Sequence, residues 1–380
     1  MSGDGPGPAA TAGDRTARVG RGSAAGAGPV EANGLRERID GALHRFVAGQ
    51  QIVLDAVGPE LEPVVAALRD LIEHGGKRLR PAFCYWGWRG AGGPDRPEII
   101  AAAASLELLQ AGALIHDDYI DESDTRRGRP AAHRRFAALH RTQGWAGDPD
   151  AFGAATAIIL GDLCLSWCDE MFEQSGLPAT AVLRAKPVFQ LMRTEVMAGQ
   201  YLDVLGQHRG GGDLETALRV VRYKSAKYTV ERPLHVGGLL AGADAGRLAA
   251  YSAYGLPLGE AFQLRDDILG VFGDPAETGK PAGDDLREGK QTVLVALAYQ
   301  RASERDRAIL DRDLGDRAVG PDAIDRVRGI LTGTGALAEV ERMIEGRTAQ
   351  ALAALDGGPI DPEARTALRG LAVAATTRRL

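Results

Sequence analysis

From Leu35 onward, apolar residues recur at three- and four-residue spacing, as in LRERIDGALHRFVAGQQIVL and LEPVVAALRDLIEH. This period marks helices that bury one face. The stretch PEIIAAAASLELLQAGALIHDDYID has the same character, is rich in Ala and Leu, and has no proline after Pro97. Further helical windows are expected over 151–174, 179–205, 213–240, 244–272, 291–312, 321–332, 336–355 and 361–379. Gly- and Pro-containing breaks separate them: GAGGPD, GDPD, SGLP, GQHRGGGD and DGGPID. Strand-like alternation is nearly absent. The pattern predicts an all-α fold of roughly a dozen helices in one domain, spanning 34–380. Residues 1–33 are Gly, Ala, Pro and Ser with almost no large apolar side chain, so a disordered tail is expected there.

Composition narrows this picture. The chain has 380 residues, 44% of them hydrophobic, enough for one large core or two smaller ones. No uninterrupted apolar run of about 18 residues occurs, so no transmembrane helix is expected. The most apolar window, FGAATAIILGDLCLSW, is interrupted by Asp162. The N-terminus lacks a hydrophobic signal core, and Cys84, Cys164 and Cys168 form no disulfide framework; both features predict a cytoplasmic protein. A net charge of −6 argues against a nucleic-acid-binding surface. Basic residues nevertheless cluster in GGKRLRP (75–81) and DTRRGRP (124–130), beside paired carboxylates. Such clusters in an acidic chain point to a small polyanionic ligand.

The carboxylates stand in two segments, LIHDDYIDESDTRRGRP and QLRDDILGVFGD. Residues i and i+4 of a helix lie about 6 Å apart on one face, so Asp117 and Asp121 present paired carboxylates while Asp118 sits about 100° away. Asp266 and Asp267 repeat the arrangement after a second apolar helix, but Gly270 stands where a third aspartate would be expected. Carboxylates at the end of a buried stripe need a cation. All-oxygen ligands favour Mg²⁺, which keeps waters and takes its remaining ligands from phosphate oxygens. Lys77, Arg78, Arg80, Arg126, Arg127, Lys224 and Lys280 supply cations suited to phosphate. The combination predicts two diphosphate pockets, one using metal and one held by Arg and Lys.

GGKRLRP, LIHDDYIDESDTRRGRP, YKSAKYT, FQLRDD and TGKPAGDDLREGKQT occur in the order and spacing of the trans-isoprenyl diphosphate synthases, the polyprenyl synthetase family. The resemblance spans roughly residues 35–380. It implies an isoprenoid-synthase-type helical bundle around a central cavity, assembled as a homodimer. It also implies an activity: isopentenyl diphosphate condenses with an allylic diphosphate (dimethylallyl, geranyl or farnesyl) through Mg²⁺-assisted ionisation, with three ions per site, followed by proton loss. By this resemblance Asp117, Asp118, Asp121, Asp266 and Asp267 are metal ligands, with Asp117, Asp121 and Asp266 the principal ones. Lys77, Arg80 and Arg127 would bind isopentenyl diphosphate; Arg126, Lys224 and Lys280 would bind the allylic diphosphate. Gln110 replaces a histidine common in relatives and keeps a neutral donor. Ser225 keeps a hydroxyl where many relatives have threonine, and Gln263, Asp285 and Lys290 match positions near the site. Asp284 is expected to face solvent, and His116 to pack between helices rather than bind metal.

Two further expectations concern product length and Gly270. Gly112 and Ala113, just behind Asp117, are expected to point down the product pocket, with Leu108 and Leu109 as the next layer. In the family, aromatic residues at the first pair limit product length; here both are small, which points to geranylgeranyl diphosphate, with a longer prenyl chain as the competing product. Gly112→Phe or Ala113→Phe should then shorten the product. The third aspartate of the second motif acts mainly through metal-bound water in the family, so Gly270→Asp should change activity little, with Asp274 a partial substitute. A class I terpene cyclase fits less well, because it lacks GGKRLRP and places a hydroxyl residue where Gly270 stands. A non-catalytic partner subunit fits less well because both Asp motifs are substantially present.

Overall fold

The computed structural model describes Met1 and residues 34–73, 75–274 and 283–376. Lys280 and the expected disordered tail over 2–33 therefore lie outside the described residues. The elements run α1 (Leu35–Val57), α2 (Glu62–Glu73), α3 (Leu79–Gly90), α4 (Pro97–Ile120), β1 (Thr125–Arg126), β2 (Arg129–Pro130), α5 (Ala132–Gln143), α6 (Pro149–Glu173) and α7 (Ala179–Arg209). They continue with α8 (Leu214–Val220), a π-helical segment (Val221–Glu231), α9 (Arg232–Ala241), α10 (Ala245–Phe272), α11 (Asp284–Arg287), α12 (Val293–Arg301), α13 (Glu304–Asp313), α14 (Pro321–Gly333), α15 (Ala336–Gly357) and α16 (Pro362–Thr376).

The fold is all-α, as the periodicity predicts. Helix α4 starts with Pro97 in its first turn and is the central helix, packed on α1, α3 and α6. Buried side chains form two clusters. The larger joins α1, α3, α4, α6, α7, α9 and α16; the smaller joins α8, α12, α14 and most of α15. Helix α10 belongs to both, with Leu258 in the first and Ala261, Leu264 and Ile268 in the second. It thus carries Asp266 and Asp267 on a rigid element.

Four local features depart from the periodicity. Helices α3 and α5 lie outside the expected windows. Helix α3 (LRPAFCYWGWRG) is buried nearly all round, so it has no polar stripe to reveal it. The window 291–312 breaks at Ala302, whose extended backbone precedes the Ser303 cap of α13. Residues 125–130 form a tight antiparallel hairpin, with Arg126 opposite Arg129. Its turn residues Arg127 (φ 55) and Gly128 (φ 74) both lie in the left-handed region, which matches a two-residue hairpin turn and strains the arginine.

The window 213–240 is helical but contains the π segment, a geometry frequent at functional sites. Glycines let neighbouring helices close on it: a Cβ at Gly199 would lie 2.4 Å from the Lys224 backbone nitrogen, and one at Gly259 would lie 2.5 Å from the Ala226 Cα.

By length and composition α4 and α6 are each apolar enough to cross a membrane, although neither is an uninterrupted apolar run. The apolar window of α4 is 72% buried, so this helix serves as the core of the bundle; that of α6 is only 39% buried.

Candidate active site

The C-terminal end of α4 carries three carboxylates, and a helix C-terminus has negative polarity, so this clustering opposes the helix dipole. Cations from elsewhere offset it. Lys224, on the π segment, lies 3.2 Å from Asp117 and 2.6 Å from Asp203. Gln200 of α7 donates to Asp117 at 2.9 Å. Burial alone would raise the Asp117 pKa, but Lys224, Lys290 and Arg126 together hold its carboxyl well below the usual range. Lys224 in turn is raised, its burial outweighed by Asp117 and Asp203. Asp121 follows the last residue of α4 and stands 3.2 Å from Lys290, which also contacts Glu288 (2.7 Å) and Asp285 (3.5 Å). Burial and the nearby Asp117 raise the Asp121 pKa despite Lys290.

Asp118 departs from the ligand assignment. It is turned away from the cavity and accepts from Arg126 Nε at 2.8 Å, with a second, short bond from Arg126 Nη2. The physical reason is its rotation of about 100° from Asp117 around the helix. Arg126 therefore holds a motif carboxylate in place, while still lining the cavity.

On α10, Asp266 lines the cavity, and buried Asp267 accepts from Gln263 at 2.7 Å, one turn earlier. Burial pushes the Asp267 carboxyl up to about 8; Gln263 opposes this, while Asp285, Asp266 and Asp203 reinforce it. The helix continues unbroken through Gly270. A Cβ at Gly270 would lie 1.7 Å from Asp285 Oδ2. A carboxylate from another element thus stands beside Gly270, and an aspartate at 270 would require the Asp285 side chain to turn aside. Asp274 lies exposed just beyond the helix end.

Both arms open on one cavity of about 630 Å³. Lys77, Gln110, Arg126, Arg127, Lys224, Ser225, Gln263 and Lys290 line it, bringing together eight of the predicted substrate-binding residues. Asp284, expected to face solvent, lines it too. Arg80 is not among the lining residues; it donates to Thr229 at 2.9 Å and lies over the Tyr228 ring at 4.3 Å. Arg78 is separated from its neighbours in GGKRLRP: it is buried against Asp40 (2.7 Å) and Glu107 (2.8 Å). Arg127 is lowered by burial and then by Arg126, Arg78 and Arg80, although Glu107 opposes this. A buried cation in such company favours an incoming anion. His116 contacts the Ile158 carbonyl of α6 at 3.2 Å, in keeping with helix packing.

Gly112 and Leu108 do not face the cavity, which corrects that part of the product-pocket assignment. Residues five and nine before Asp117 lie about 140° and 180° around the helix from it. The cavity side of α4 is instead Gln110, Leu114 and Asp117. A Cβ at Gly112 would lie 2.9 Å from the Gly161 carbonyl oxygen, so this glycine permits close contact with α6. Leu108 and Leu109 are buried in the core. Ala113, about 40° from Asp117 by the same geometry, is half-buried and, like Leu109, is not among the cavity-lining residues.

Gln200, Asp203 and Glu288 join the network although nothing in the sequence singles them out. Gln200 and Asp203, three apart on α7, share a helix face, but nothing in their local sequence names the Asp117–Lys224 pair as their partner.

The donor set fits Mg²⁺. Both Asp121 oxygens are buried without a hydrogen bond among the described residues, and Asp267 is crowded by like charges; a hard divalent cation relieves both. Among the described residues, no group of three or more His, Cys, Asp or Glu side chains is gathered closely enough to hold a metal ion by itself.

Two acidic helices and a set of cations around one cavity define an all-helical enzyme acting on diphosphate esters. The chain belongs to the polyprenyl synthetase family, whose profile matches residues 62–331, and is a trans-prenyltransferase. A geranylgeranyl pyrophosphate synthase from Corynebacterium glutamicum, solved with isoprenyl diphosphate and magnesium, superimposes with a TM-score of 0.88 at 43% identity, covering 91% of this chain and 99% of that one. Geranylfarnesyl diphosphate synthase of Aeropyrum pernix is 33% identical over 75% of this chain and 84% of its own length. Geranylgeranyl diphosphate synthase of Saccharolobus solfataricus is 31% identical over 69% and 74%, respectively.

Proposed function

We propose that this chain condenses isopentenyl diphosphate with dimethylallyl, geranyl or farnesyl diphosphate, head to tail, to give geranylgeranyl diphosphate. The observation that carries this reading is the single cavity onto which Asp117, Asp266 and the flanking cations all open. Bound Mg²⁺, at three ions per site, supplies Lewis-acid stabilisation of the departing diphosphate. Asp117, Asp121 and Asp266 would hold the ions, with Asp267 a weaker ligand. Lys224 and Arg126 sit where they neutralise charge developing on the leaving group. Lys77, Arg127 and Gln110, with Arg80 behind them, form the metal-free anion pocket for isopentenyl diphosphate. Leu114 and the apolar part of the wall keep water from the cation formed on ionisation.

The C20 product is supported by the geranylgeranyl synthases among the similar proteins and by the small side chain at Ala113. Incubating the purified protein with isopentenyl diphosphate, Mg²⁺ and each allylic starter, then sizing the products, tests this. A C20 product is expected; failure to consume isopentenyl diphosphate overturns the reading, and a longer product overturns the chain length. Ala113→Phe should shorten the product with little loss of folding. Gly112→Phe should instead lower thermal stability by about 1–3 kcal/mol, the usual cost of overpacking.

The exposed faces of α6 and α7 carry Ile158, Ile159, Leu183, Leu191, Met197 and Tyr201. Apolar faces of this extent favour burial against a second copy, and light scattering should report a homodimer. Three free, buried cysteines are in keeping with a cytoplasmic location.

A further inference from the structure

The first acidic arm ends in a turn that its own residues do not favour. Asp121 caps α4, and Glu122 follows it with a left-handed backbone (φ 53), a conformation suited to glycine. The hydrogen bonds are those of a glycine-type helix stop: Ser123 N–H donates to the Asp118 carbonyl at 2.8 Å, and Glu122 N–H to the Tyr119 carbonyl at 3.2 Å. A glutamate in the glycine position is strained and persists only where its surroundings hold it. The hold comes from the loop 314–320, between α13 and α14. Arg317 donates to the carbonyls of Asp121 and Glu122, the latter at 3.5 Å, and its guanidinium stands 3.5 Å from the Glu122 carboxylate. A cation at these carbonyls also offsets the dipole of a helix end crowded with carboxylates. The same loop is fastened to α11, because Gly315 N–H donates to the Leu286 carbonyl at 2.9 Å. Apart from the Lys290 ammonium at 3.2 Å, no polar partner holds the Asp121 carboxylate among the described residues. The backbone of the turn therefore sets where its oxygens point.

We propose that Arg317 is a positioning residue for the first arm: it clamps the Asp121–Glu122 turn and through it fixes the direction of the Asp121 carboxylate. The inference rests on the diphosphate-and-magnesium reading above. Arg317 touches neither cavity wall nor substrate pocket; it acts on a ligand from behind, as partners that orient a metal ligand do. Its side chain is 48% exposed and that of Glu122 66% exposed. Replacing either opens no hole in the core, so the variants are expected to fold.

The test removes the clamp and then makes it unnecessary. Thermal unfolding of the full chain is followed at fixed inorganic diphosphate while Mg²⁺ is titrated, and the half-saturating Mg²⁺ concentration is recorded. Wild-type protein should be stabilised by the two together; if it is not, the diphosphate-and-magnesium reading fails and this inference with it. Given that stabilisation, Arg317→Ala should raise half-saturating Mg²⁺ about tenfold, the usual cost of losing a partner that orients a ligand. Arg317→Lys, a point charge in place of a fork, should recover part of the loss. Glycine adopts the left-handed turn unaided. Glu122→Gly alone should therefore leave the Mg²⁺ dependence near wild type, and Glu122→Gly/Arg317→Ala should regain most of what Arg317→Ala loses. Turnover gives a second readout. At the Mg²⁺ concentration that half-saturates wild type, Arg317→Ala should lower kcat severalfold and leave the KM for isopentenyl diphosphate, bound in the metal-free pocket, unchanged. An unchanged half-saturating Mg²⁺ in Arg317→Ala, or a double variant no better than Arg317→Ala, would overturn the assignment while leaving the broader function intact. A lower melting temperature with no change in Mg²⁺ dependence would overturn it too, and would make Arg317 a stabilising contact alone.

Discussion

The two acidic helices solve the same electrostatic problem in opposite ways. Each gathers carboxylates near a C-terminal end, where the helix dipole disfavours them. The arm on α4 is neutralised by cations from distant elements: Lys224 on the π segment, Arg126 on the hairpin and Lys290 beyond α11. Asp117 is consequently held as a carboxylate. The arm on α10 keeps Asp267 buried beside Asp266 and Asp285, with the Gln263 amide as a donor, and its carboxyl rises to about 8. At Asp117 the charge is balanced by ammonium and guanidinium groups, whereas at Asp267, whose pKa is raised, it is balanced by a proton. That proton would leave if a metal ion bound there, while the cations beside Asp117 would remain to meet a diphosphate. The difference predicts that the two arms respond to different perturbations.

The largest effect should come from removing a principal carboxylate from either arm. Asp117→Ala and Asp266→Ala should each lower kcat at least about 100-fold, because charge stabilisation at a leaving group depends on correctly held ions. Steady-state assays at saturating Mg²⁺ measure this. Equal losses would show that ionisation requires both arms; a mild loss in Asp266→Ala alone would make the second arm auxiliary. Lys224→Met should have the next largest effect, about tenfold to 100-fold on kcat/KM, and it discriminates between the arms. Without its nearest ammonium the Asp117 pKa rises, by about 1–3 units for loss of such a partner. Because deprotonated Asp117 is the useful form, the acidic limb of the pH–rate profile should move to higher pH. An unmoved acidic limb would mean that Lys290 and Arg126 suffice.

Much of this comparison was legible in the sequence, and the rest was not for identifiable reasons. The i, i+4 spacing of Asp117 and Asp121 and the 3.6-residue period of α4 and α10 are local, and local order transmits directly into structure. The pairing of Lys224 with Asp117 spans 107 positions, and only the packing of the π segment onto α7 and α10 brings it about. Arg78 and Lys77 are adjacent and equally basic, yet a left-handed backbone at Arg78 turns it into the core toward Asp40 and Glu107. Gly112 was misread by rotation alone: five residues is not one helical turn. The carboxylate beside Gly270, that of Asp285, comes from 15 positions later in the chain on a different helix, which the local sequence does not reveal.

The smallest effect separates the proton-balanced arm from the cation-balanced one. Burial, reinforced by the neighbouring carboxylates, pushes the Asp267 carboxyl up from the ordinary 3.8 to about 8. Between those values the folded chain holds a proton that the unfolded chain has released, so stability must fall as pH rises through that window and level off above it. This is the reverse of the contribution of Asp117, whose lowered pKa adds stability that is lost as pH falls. Asp267→Asn keeps the shape and the neutral state, so the metal-free variant should lose this part of the pH slope and melt a few degrees above wild type near pH 8. The same substitution should weaken Mg²⁺-dependent stabilisation at pH 8 more than at pH 6, because only the wild type gains a carboxylate as the pH rises. Melting curves across pH 5–9, with and without Mg²⁺ and inorganic diphosphate, measure both effects. An unchanged slope in Asp267→Asn would mean that Asp267 does not hold the proton, and the contrast with Asp117 would fail.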